Sequence, residues 1–294
     1  MPGDIENQKP VEVISTHLRN RWKVFFWEAF LFCLTSGLGI ATAFRMNEIF
    51  KIQKVNIPQI SFSQFILNFL LATLFIFLIS RFVKFEKGKG TIFKILFIFT
   101  VFFGGLLFLE TWLPEPLPLI FIFVLIFRWL KKPSVLIQDL LIILGIAGTG
   151  SILGLSLNPS MVITLLIIFS IYDFIAVYKT KHMVKMAKEM IESRAILALV
   201  IPSNIFGFRE SLEKIQPGGK FLILGGGDVA FPLIFCSSLI PLGISKSLIV
   251  ALFSLIGLFV GFLFFTKQKE RKPIPALPLI AFFSIIGYLI TKIL

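Results

Sequence analysis

Residues 221–232 read FLILGGGDVAFP and place an aspartate, Asp228, inside an apolar run directly after three glycines. An ionised carboxylate is costly in hydrocarbon, so an aspartate in a membrane segment indicates a functional site. The glycines weaken helix at this point and leave room for another backbone to approach closely. A second aspartate, Asp173, lies in another apolar run. The first question is therefore whether these two carboxyl groups meet.

The composition predicts an all-α polytopic membrane protein. Of the 294 residues, 56% are hydrophobic and the mean hydropathy is +0.92, with repeated apolar runs close to the length of a membrane-spanning helix. The net charge is +13, but the positive residues cluster between the apolar runs. This placement favours a bilayer with anionic headgroups on its cytoplasmic face, and not nucleic acid, as the partner.

The hydropathy pattern predicts nine transmembrane helices within one integral membrane domain. Most Lys and Arg residues fall in the N-terminal tail and in every second loop, so we expect a cytoplasmic N-terminus and a C-terminus outside. The predicted spans are 24–44, 62–83, 92–113, 116–130, 134–153, 161–178, 221–240, 247–265 and 275–293. The basic residues on the opposite side are Arg45, Lys51, Lys54, Lys246 and Lys292.

These spans divide the chain into a cytoplasmic tail (1–23), spans one to six (24–178), a cytoplasmic or interfacial loop (179–220) and spans seven to nine (221–294). Methionines and lysines at helical spacing in the first part of the loop predict either an amphipathic helix at the interface or a cytosolic extension of span six. Two apolar segments, 196–201 and 221–224, are too short to span and are read as strands or re-entrant pieces.

Topology places Asp173 and Asp228 at matched shallow depth, at the cytoplasmic ends of neighbouring antiparallel spans. Two carboxyl groups held close share a proton: the ionised member activates water and the protonated member polarises a carbonyl. The alternative is that each aspartate pairs with a basic residue or carries ions. Of the other acidic residues, Glu28 beside Arg21 and Asp139 beside Lys132 are expected to be satisfied interface charges.

The sequence lacks the side chains that several enzyme classes need for catalysis. The two histidines, His17 and His182, lie outside the apolar core, so a Ser–His intramembrane protease has no base. The sequence contains no His-Glu-x-x-His motif, and its Cys and His content cannot build a zinc site. We therefore expect no metal.

Three short motifs together resemble those of the presenilin and signal peptide peptidase family. Tyr172-Asp173 resembles its YD motif, 225–228 (GGGD) its GxGD motif, and 275–277 (PAL) its PAL motif. They occur in order in spans six, seven and nine, and the resemblance covers essentially the whole membrane region. The inferred orientation is similar to that of presenilin. The compact size and short loop are similar to microbial presenilin homologues, which implies the plasma membrane of a microbial cell.

The resemblance implies an intramembrane aspartyl protease that hydrolyses peptide bonds within the transmembrane helices of other proteins, without a metal or organic cofactor. Its partners would be such substrates and the bilayer; no nucleic acid is expected, and a homo-oligomer stays open. Asp173 and Asp228 would be the catalytic pair. The remaining implied site residues are Tyr172 beside the pair, Gly225 and Gly227 for close approach of substrate backbone, Gly226 at the motif's variable position, and Pro275, Ala276 and Leu277 lining the site.

Two other functions compete with this interpretation. An ion-coupled transporter or leak channel would use the intramembrane aspartates as cation or proton sites, but the inverted repeats that would favour it are not evident. A prepilin-type peptidase also carries a GxGD motif. Such enzymes usually have Lys two places beyond the aspartate, where this chain has Ala230.

Overall fold

The computed structural model describes residues 10–82, 86–180, 182–215, 221–268 and 273–293. Several predicted features therefore lie partly outside the described residues: the first nine residues of the tail, the end of the second span at 83, positions 181 and 216–220 of the loop, and the last residue.

The described chain consists mainly of helices, with one small sheet. The ten α-helices are α1 Pro10–Ile52, α2 Phe62–Phe82, α3 Glu86–Trp112, α4 Leu117–Lys131, α5 Val135–Ser156, α6 Pro159–Phe174, α7 His182–Ser193, α8 Gly226–Ser238, α9 Ile244–Lys267 and α10 Leu277–Ile293. The two strands are β1 Ala198–Pro202 and β2 Phe221–Gly225. A π-helical segment, Ile175–Lys179, continues α6, and short 3₁₀ turns occupy Ile205–Arg209, Leu212–Lys214 and Ile240–Leu242.

The prediction of apolar membrane helices is confirmed, and the helix lengths show which segments are long enough to cross a membrane. Within the described ranges, five helices are long and apolar enough to cross a membrane: Arg21–Ile52, Gly90–Trp112, Val135–Ser156, Pro159–Lys179 and Ile244–Lys267. Shorter apolar helices cover Phe62–Phe75, Gly226–Leu242 and Leu277–Ile293. The count of nine spans stays a prediction, since these segments are shorter than a typical crossing.

Helix α5 is the centre of the bundle, and 72% of its apolar window is buried. It packs against α1, α3 and α8. Gly148 of α5 faces the backbone of Gly104 on α3, where a Cβ atom on Gly148 would overlap the Gly104 carbonyl. Small residues of this kind let membrane helices approach closely, which increases the packing contacts that hold such bundles together.

The two short apolar segments of uncertain structure form an antiparallel pair of strands. Ala198 of β1 lies opposite Gly225 of β2, and Pro202 lies opposite Phe221. The predicted span 221–240 is therefore wrong at its start: its first five residues are strand, and helix begins only at Gly226. The physical reason is that residues 221–225 pair with β1, whereas a helix extended back through Gly225 would lose backbone entropy without gaining side-chain packing.

The first part of the predicted loop forms a separate helix, α7. The π-helical segment divides it from α6, and its residues Ile191 and Ser193 are buried. A Cβ atom on Gly90 of α3 would lie 3.3 Å from the Ser193 Cβ, so the end of α7 packs against the start of α3. This helix brings the chain back across the bundle to β1.

Candidate active site

The first turn of α8 holds Asp228 at the end of the sheet. Gly225 is the residue that caps α8, and its backbone N–H lies near the Asp228 carboxyl group three residues later. This is one half of a capping box, in which an acidic side chain in the first helical turn satisfies an otherwise unpaired amide. A carboxylate is also favoured there by the helix dipole. The local sequence therefore fixes where this carboxyl group points.

The three glycines before Asp228 have different surroundings. A Cβ atom on Gly225 would lie 2.9 Å from Asp228 Oδ2, so only glycine leaves room for the carboxyl group in this position. A Cβ atom on Gly226 would lie 2.8 Å from the carbonyl oxygen of Leu197, just before β1. Gly227 is exposed, and a Cβ atom there would meet only the Phe231 ring, at 3.7 Å.

Asp173 lies at the end of α6, immediately before the π-helical segment. It is 6% exposed, whereas its neighbours Ile171, Tyr172 and Phe174 are all more than half exposed. An apolar exterior around a buried acid is the arrangement expected of a functional group inside a membrane bundle. Asp173 Oδ2 is buried and has no hydrogen-bond partner among the residues that the structure describes. The π-helical segment changes the helical repeat just beyond it, a local feature that is frequent at functional sites.

The backbone N–H of Leu277 interacts with both carboxyl groups. Leu277 is the first residue of α10, so its N–H has no partner within the helix. Pro275 before it and Pro278 after it have no N–H of their own. The proline-rich start of this helix thus leaves the Leu277 amide without a helical partner and near both Asp173 and Asp228.

The two aspartates are close enough to interact electrostatically, and the Leu277 amide lies near both. They come from α6 and α8, and the third contributor is α10, so the site is formed where three helices meet. That the two carboxyl groups act as a facing pair stays a prediction.

The sheet leads directly into the site. The N–H of Val200 in β1 donates to a side chain on α5 and therefore points away from β2. In an antiparallel pair this makes Val200 and its partner Ile223 a non-hydrogen-bonded pair, so the N–H and C=O of Ile223 also point outward. Among the described residues the outward backbone groups of Ile223 have no partner outside the sheet, and β2 ends three residues before Asp228.

The sequence analysis did not anticipate the position of Glu28. It is 6% exposed on α1 and interacts electrostatically with Asp228, and its Oε2 is buried without a hydrogen-bond partner within the described ranges. Arg21, which was expected beside it, donates instead to the carbonyl of Thr266 on α9. The available signal was that Glu28 is the only charged residue in the predicted span 24–44, but its distance from Asp228 depends on tertiary packing.

The expectation for Asp139 was also wrong. Asp139 is not an interface charge beside Lys132: it is 2% exposed and accepts a hydrogen bond of 2.8 Å from the N–H of Val200. Lys131, the preceding lysine, lies over the Phe127 ring instead. The sequence contained the acid but gave no information about its backbone partner.

The other motif residues lie around this centre. Tyr172 is 53% exposed beside Asp173, Pro275 is buried, and Ala276 is half-buried next to Leu277. Together the site offers two facing carboxyl groups, a shared amide donor and an open strand edge. This combination, on apolar helices, is that of a membrane-embedded aspartyl hydrolase.

Comparison with known proteins agrees with this class. The family described as signal-peptide peptidase, presenilin aspartyl protease matches residues 29–294. A structure of a presenilin family intramembrane aspartate protease in space group C222 is similar in fold, with a TM-score of 0.60, 22% identity, and coverage of 92% of this chain and 97% of that chain. A structure of a presenilin family intramembrane aspartate protease in space group P2 has a TM-score of 0.59 and 24% identity over 90% and 96%. Comparison with curated proteins gave no match.

Since the family match spans most of the sequence, this chain belongs to the signal-peptide peptidase and presenilin aspartyl protease family. It is an integral, multi-pass membrane protein and an aspartic endopeptidase that acts within the membrane.

Proposed function

We propose that Asp173 and Asp228 form the catalytic pair that hydrolyses peptide bonds in the transmembrane helices of substrate proteins. The observation that carries this proposal is that α6, α8 and α10 pack together at the two acids, where Asp173 is buried and the Leu277 N–H lies near both carboxyl groups. A donor placed between two acids stabilises one negative charge shared by the pair, and a pair that holds one proton is the active form of an aspartyl protease.

In this proposal one carboxylate takes a proton from water while the water oxygen bonds to the peptide carbonyl carbon. The other carboxyl group gives its proton to the carbonyl oxygen, which produces a neutral diol. The first carboxyl group then passes its proton to the amide nitrogen, and the C–N bond breaks. One diol hydroxyl returns a proton to the second carboxylate, so the pair ends in its starting protonation state.

A substrate helix must unwind before its peptide bond can react, because the helical hydrogen bonds shield the carbonyl. Unwound backbone in a membrane needs new hydrogen-bond partners. We propose that the outer edge of β2 supplies them by adding the extended substrate as a further strand. The outward-facing backbone groups of Ile223 support this arrangement, and the end of β2 near Asp228 would deliver the peptide to the pair.

The motif residues have supporting roles in this proposal. Gly227 presents an open backbone at the start of α8, and we propose that substrate approaches there, beside Gly225 and Tyr172. Gly226 differs from these two glycines, because it lies close to the Leu197 carbonyl. This closeness supports a structural role for Gly226 at the junction of the sheet and α8. Pro275 and Ala276 would orient Leu277 and line the substrate path.

We also propose the finer topology given by the basic residues: nine spans, a cytoplasmic tail within 1–23, a cytoplasmic or interfacial loop at 179–220, and the C-terminus outside. This orientation puts the pair near the cytoplasmic surface, where water reaches it without crossing the bilayer, and puts basic loops against anionic headgroups. The plasma membrane of a microbial cell is the proposed location.

The test uses purified protein reconstituted with a transmembrane substrate. We expect Asp173→Asn and Asp228→Asn each to abolish cleavage, because an amide of the same size cannot exchange the proton, while helix content and thermal stability stay close to those of the wild type. Ser254→Ala, a buried polar change between α9 and α10, serves as the matched control. Cleavage retained in either aspartate variant would refute the pair, and ion flux through liposomes lost in the same variants would favour a transporter.

A further inference from the structure

Two neighbouring polar residues of α5, Gln138 and Asp139, contact the edge of β1 that faces away from β2. Asp139 Oδ1 accepts from the N–H of Val200 at 2.8 Å, and Gln138 Nε2 donates to the carbonyl of Ile196. Gln138 is itself held by Trp129, whose Nε1 donates to its Oε1 at 2.7 Å. Both α5 residues are buried, at 0% and 2% exposure.

These contacts follow the repeat of the strand. The backbone groups of alternate residues point to the same edge, so the groups of Ile196 and Val200 belong to the outer edge of β1. Ala198 and Pro202 lie on the same edge, and Pro202 has no N–H to leave unpaired. Side chains of α5 therefore occupy the outer edge of β1 on both sides of Ala198, whereas among the described residues no side-chain hydrogen bond occupies the outer edge of β2 at Ile223.

A two-stranded sheet has two edges, and either one can accept a further strand. A substrate strand on β1 would be separated from Asp228 by the width of β2, whereas a strand on β2 would lie beside the residues that lead to Asp228. Closing the β1 edge leaves one productive place for the substrate. It also fixes the lateral position of β1, against which β2 is paired.

Asp139 is a poor choice for stability alone. Its Oδ2 is buried with no hydrogen-bond partner in the described part of the chain. A buried polar atom without a partner is unfavourable, and an apolar side chain of similar size would avoid this penalty. The value of Asp139 therefore lies in the backbone group that it holds.

We propose that Gln138 and Asp139 are positioning residues that hold β1 and so determine which peptide bond of the substrate reaches the catalytic pair. This inference rests on the proposed addition of substrate to β2. If β1 is released, β2 loses its fixed partner, and the bound substrate strand can slip. A slip of two residues keeps each side chain on its original face and moves the peptide by roughly 6.7 Å along the strand.

The experiment compares Asp139→Leu and Asp139→Asn in the reconstituted full-length enzyme. Leucine is similar in size but cannot accept from Val200, whereas the asparagine carbonyl can. Cleavage products are measured by mass spectrometry, and kcat and KM are measured with substrate expressed as a mole fraction of lipid. For Asp139→Leu we expect KM to rise about tenfold, as for loss of one buried hydrogen bond, and cuts to appear two residues from the main position.

Asp139→Asn is expected to cut at the wild-type position with a KM within about threefold of wild type, the variation typical of a conservative change. Gln138→Met, which removes the donor to Ile196 but keeps the side-chain length, should move the products in the same direction as Asp139→Leu. If Asp139→Leu does not fold, Gln138→Met alone carries the test. Ser151→Ala, a buried change elsewhere on α5, is the control.

The inference is overturned if folded Asp139→Leu or Gln138→Met keeps the wild-type product pattern and the wild-type KM, and only its kcat is lower. That outcome would mean a structural role. Failure of the proposed catalytic pair is recognised separately, because then Asp173→Asn or Asp228→Asn would still cleave. A shifted product pattern in the α5 variants together with inactive aspartate variants supports both proposals.

Discussion

The junction between the sheet and α8 allows a sharp test at Gly226. The backbone N–H of Gly226 donates to the Leu197 carbonyl at 3.2 Å, so this bond ties the start of α8 to the residue before β1. In Gly226→Ala the new Cβ atom would lie 2.8 Å from the same oxygen. The neighbouring Gly227→Ala is the matched control, because its Cβ atom would meet only the Phe231 ring, at 3.7 Å.

The magnitude follows from the type of collision. A Cβ–oxygen distance below 3.0 Å cannot be kept, and the obstacle is backbone, so the strand or the helix must move. Overpacking of this kind costs about 1–3 kcal/mol. Weakening the Gly226–Leu197 hydrogen bond adds about 1 kcal/mol. The higher helix propensity of alanine stabilises the folded state by up to about 1 kcal/mol. We therefore expect a net loss of about 1–3 kcal/mol in Gly226→Ala.

Two measurements check this expectation. Equilibrium unfolding in mixed detergent micelles gives the free energy of unfolding of each variant, and cleavage of a reconstituted substrate gives its activity. Gly226→Ala should be less stable than wild type and less active, because displacement of α8 moves Asp228. Gly227→Ala should be at least as stable as wild type. Any loss of activity in this variant would therefore come from hindered approach of the substrate.

The reasoning would be refuted if Gly226→Ala were as stable and active as wild type. Gly226 is the variable position of the motif, but in this chain the space beside it is occupied by the Leu197 carbonyl, so the structure predicts that it does not tolerate a larger residue.

Two further predictions concern the shared amide and the helix packing. Leu277→Pro removes the N–H that lies near both aspartates but suits the first position of a helix, so we expect cleavage to fall by about 10- to 100-fold, the effect of one hydrogen bond to a charged group. The Leu277 side chain is buried, so Leu277→Pro and Leu277→Ala should both lower the free energy of unfolding, and only the proline variant also removes the N–H. Leu277→Ala keeps the N–H and should retain most of the activity; equal losses in both variants would contradict this role. Gly148→Ala should lower the free energy of unfolding by about 1–3 kcal/mol because its Cβ would overlap the Gly104 carbonyl. Gly37→Ala, where nothing lies within 4 Å, should raise it by up to about 1 kcal/mol, and the same sign in both would refute the packing argument.

The positions of the two aspartates could be predicted because a carboxyl group in an apolar helix is rare and costly. The start of α10 was marked by the PAL motif, through which the resemblance implied that Pro275, Ala276 and Leu277 line the site. It did not identify which amide would be used. That Leu277 reaches both carboxyl groups depends on the packing of α10 between α6 and α8.

The segments 196–201 and 221–224 show a different limit. A short apolar run has the same composition whether it becomes a strand or part of a helix, and only a partner with unpaired backbone groups decides between them. Here each segment is the partner of the other, across the long loop. The predicted seventh span extended into β2 for this reason.

The sequence by itself determined the membrane class, the helical segments and the two acids, because each of these depends on hydrophobicity and charge along a single stretch of chain. Only the tertiary structure decided that Glu28 lies near Asp228, that Asp139 holds the edge of β1, and that Gly226 rather than Gly227 packs against backbone. Each of these is a contact between distant parts of the chain, and such contacts arise from how helices and strands fit together in space.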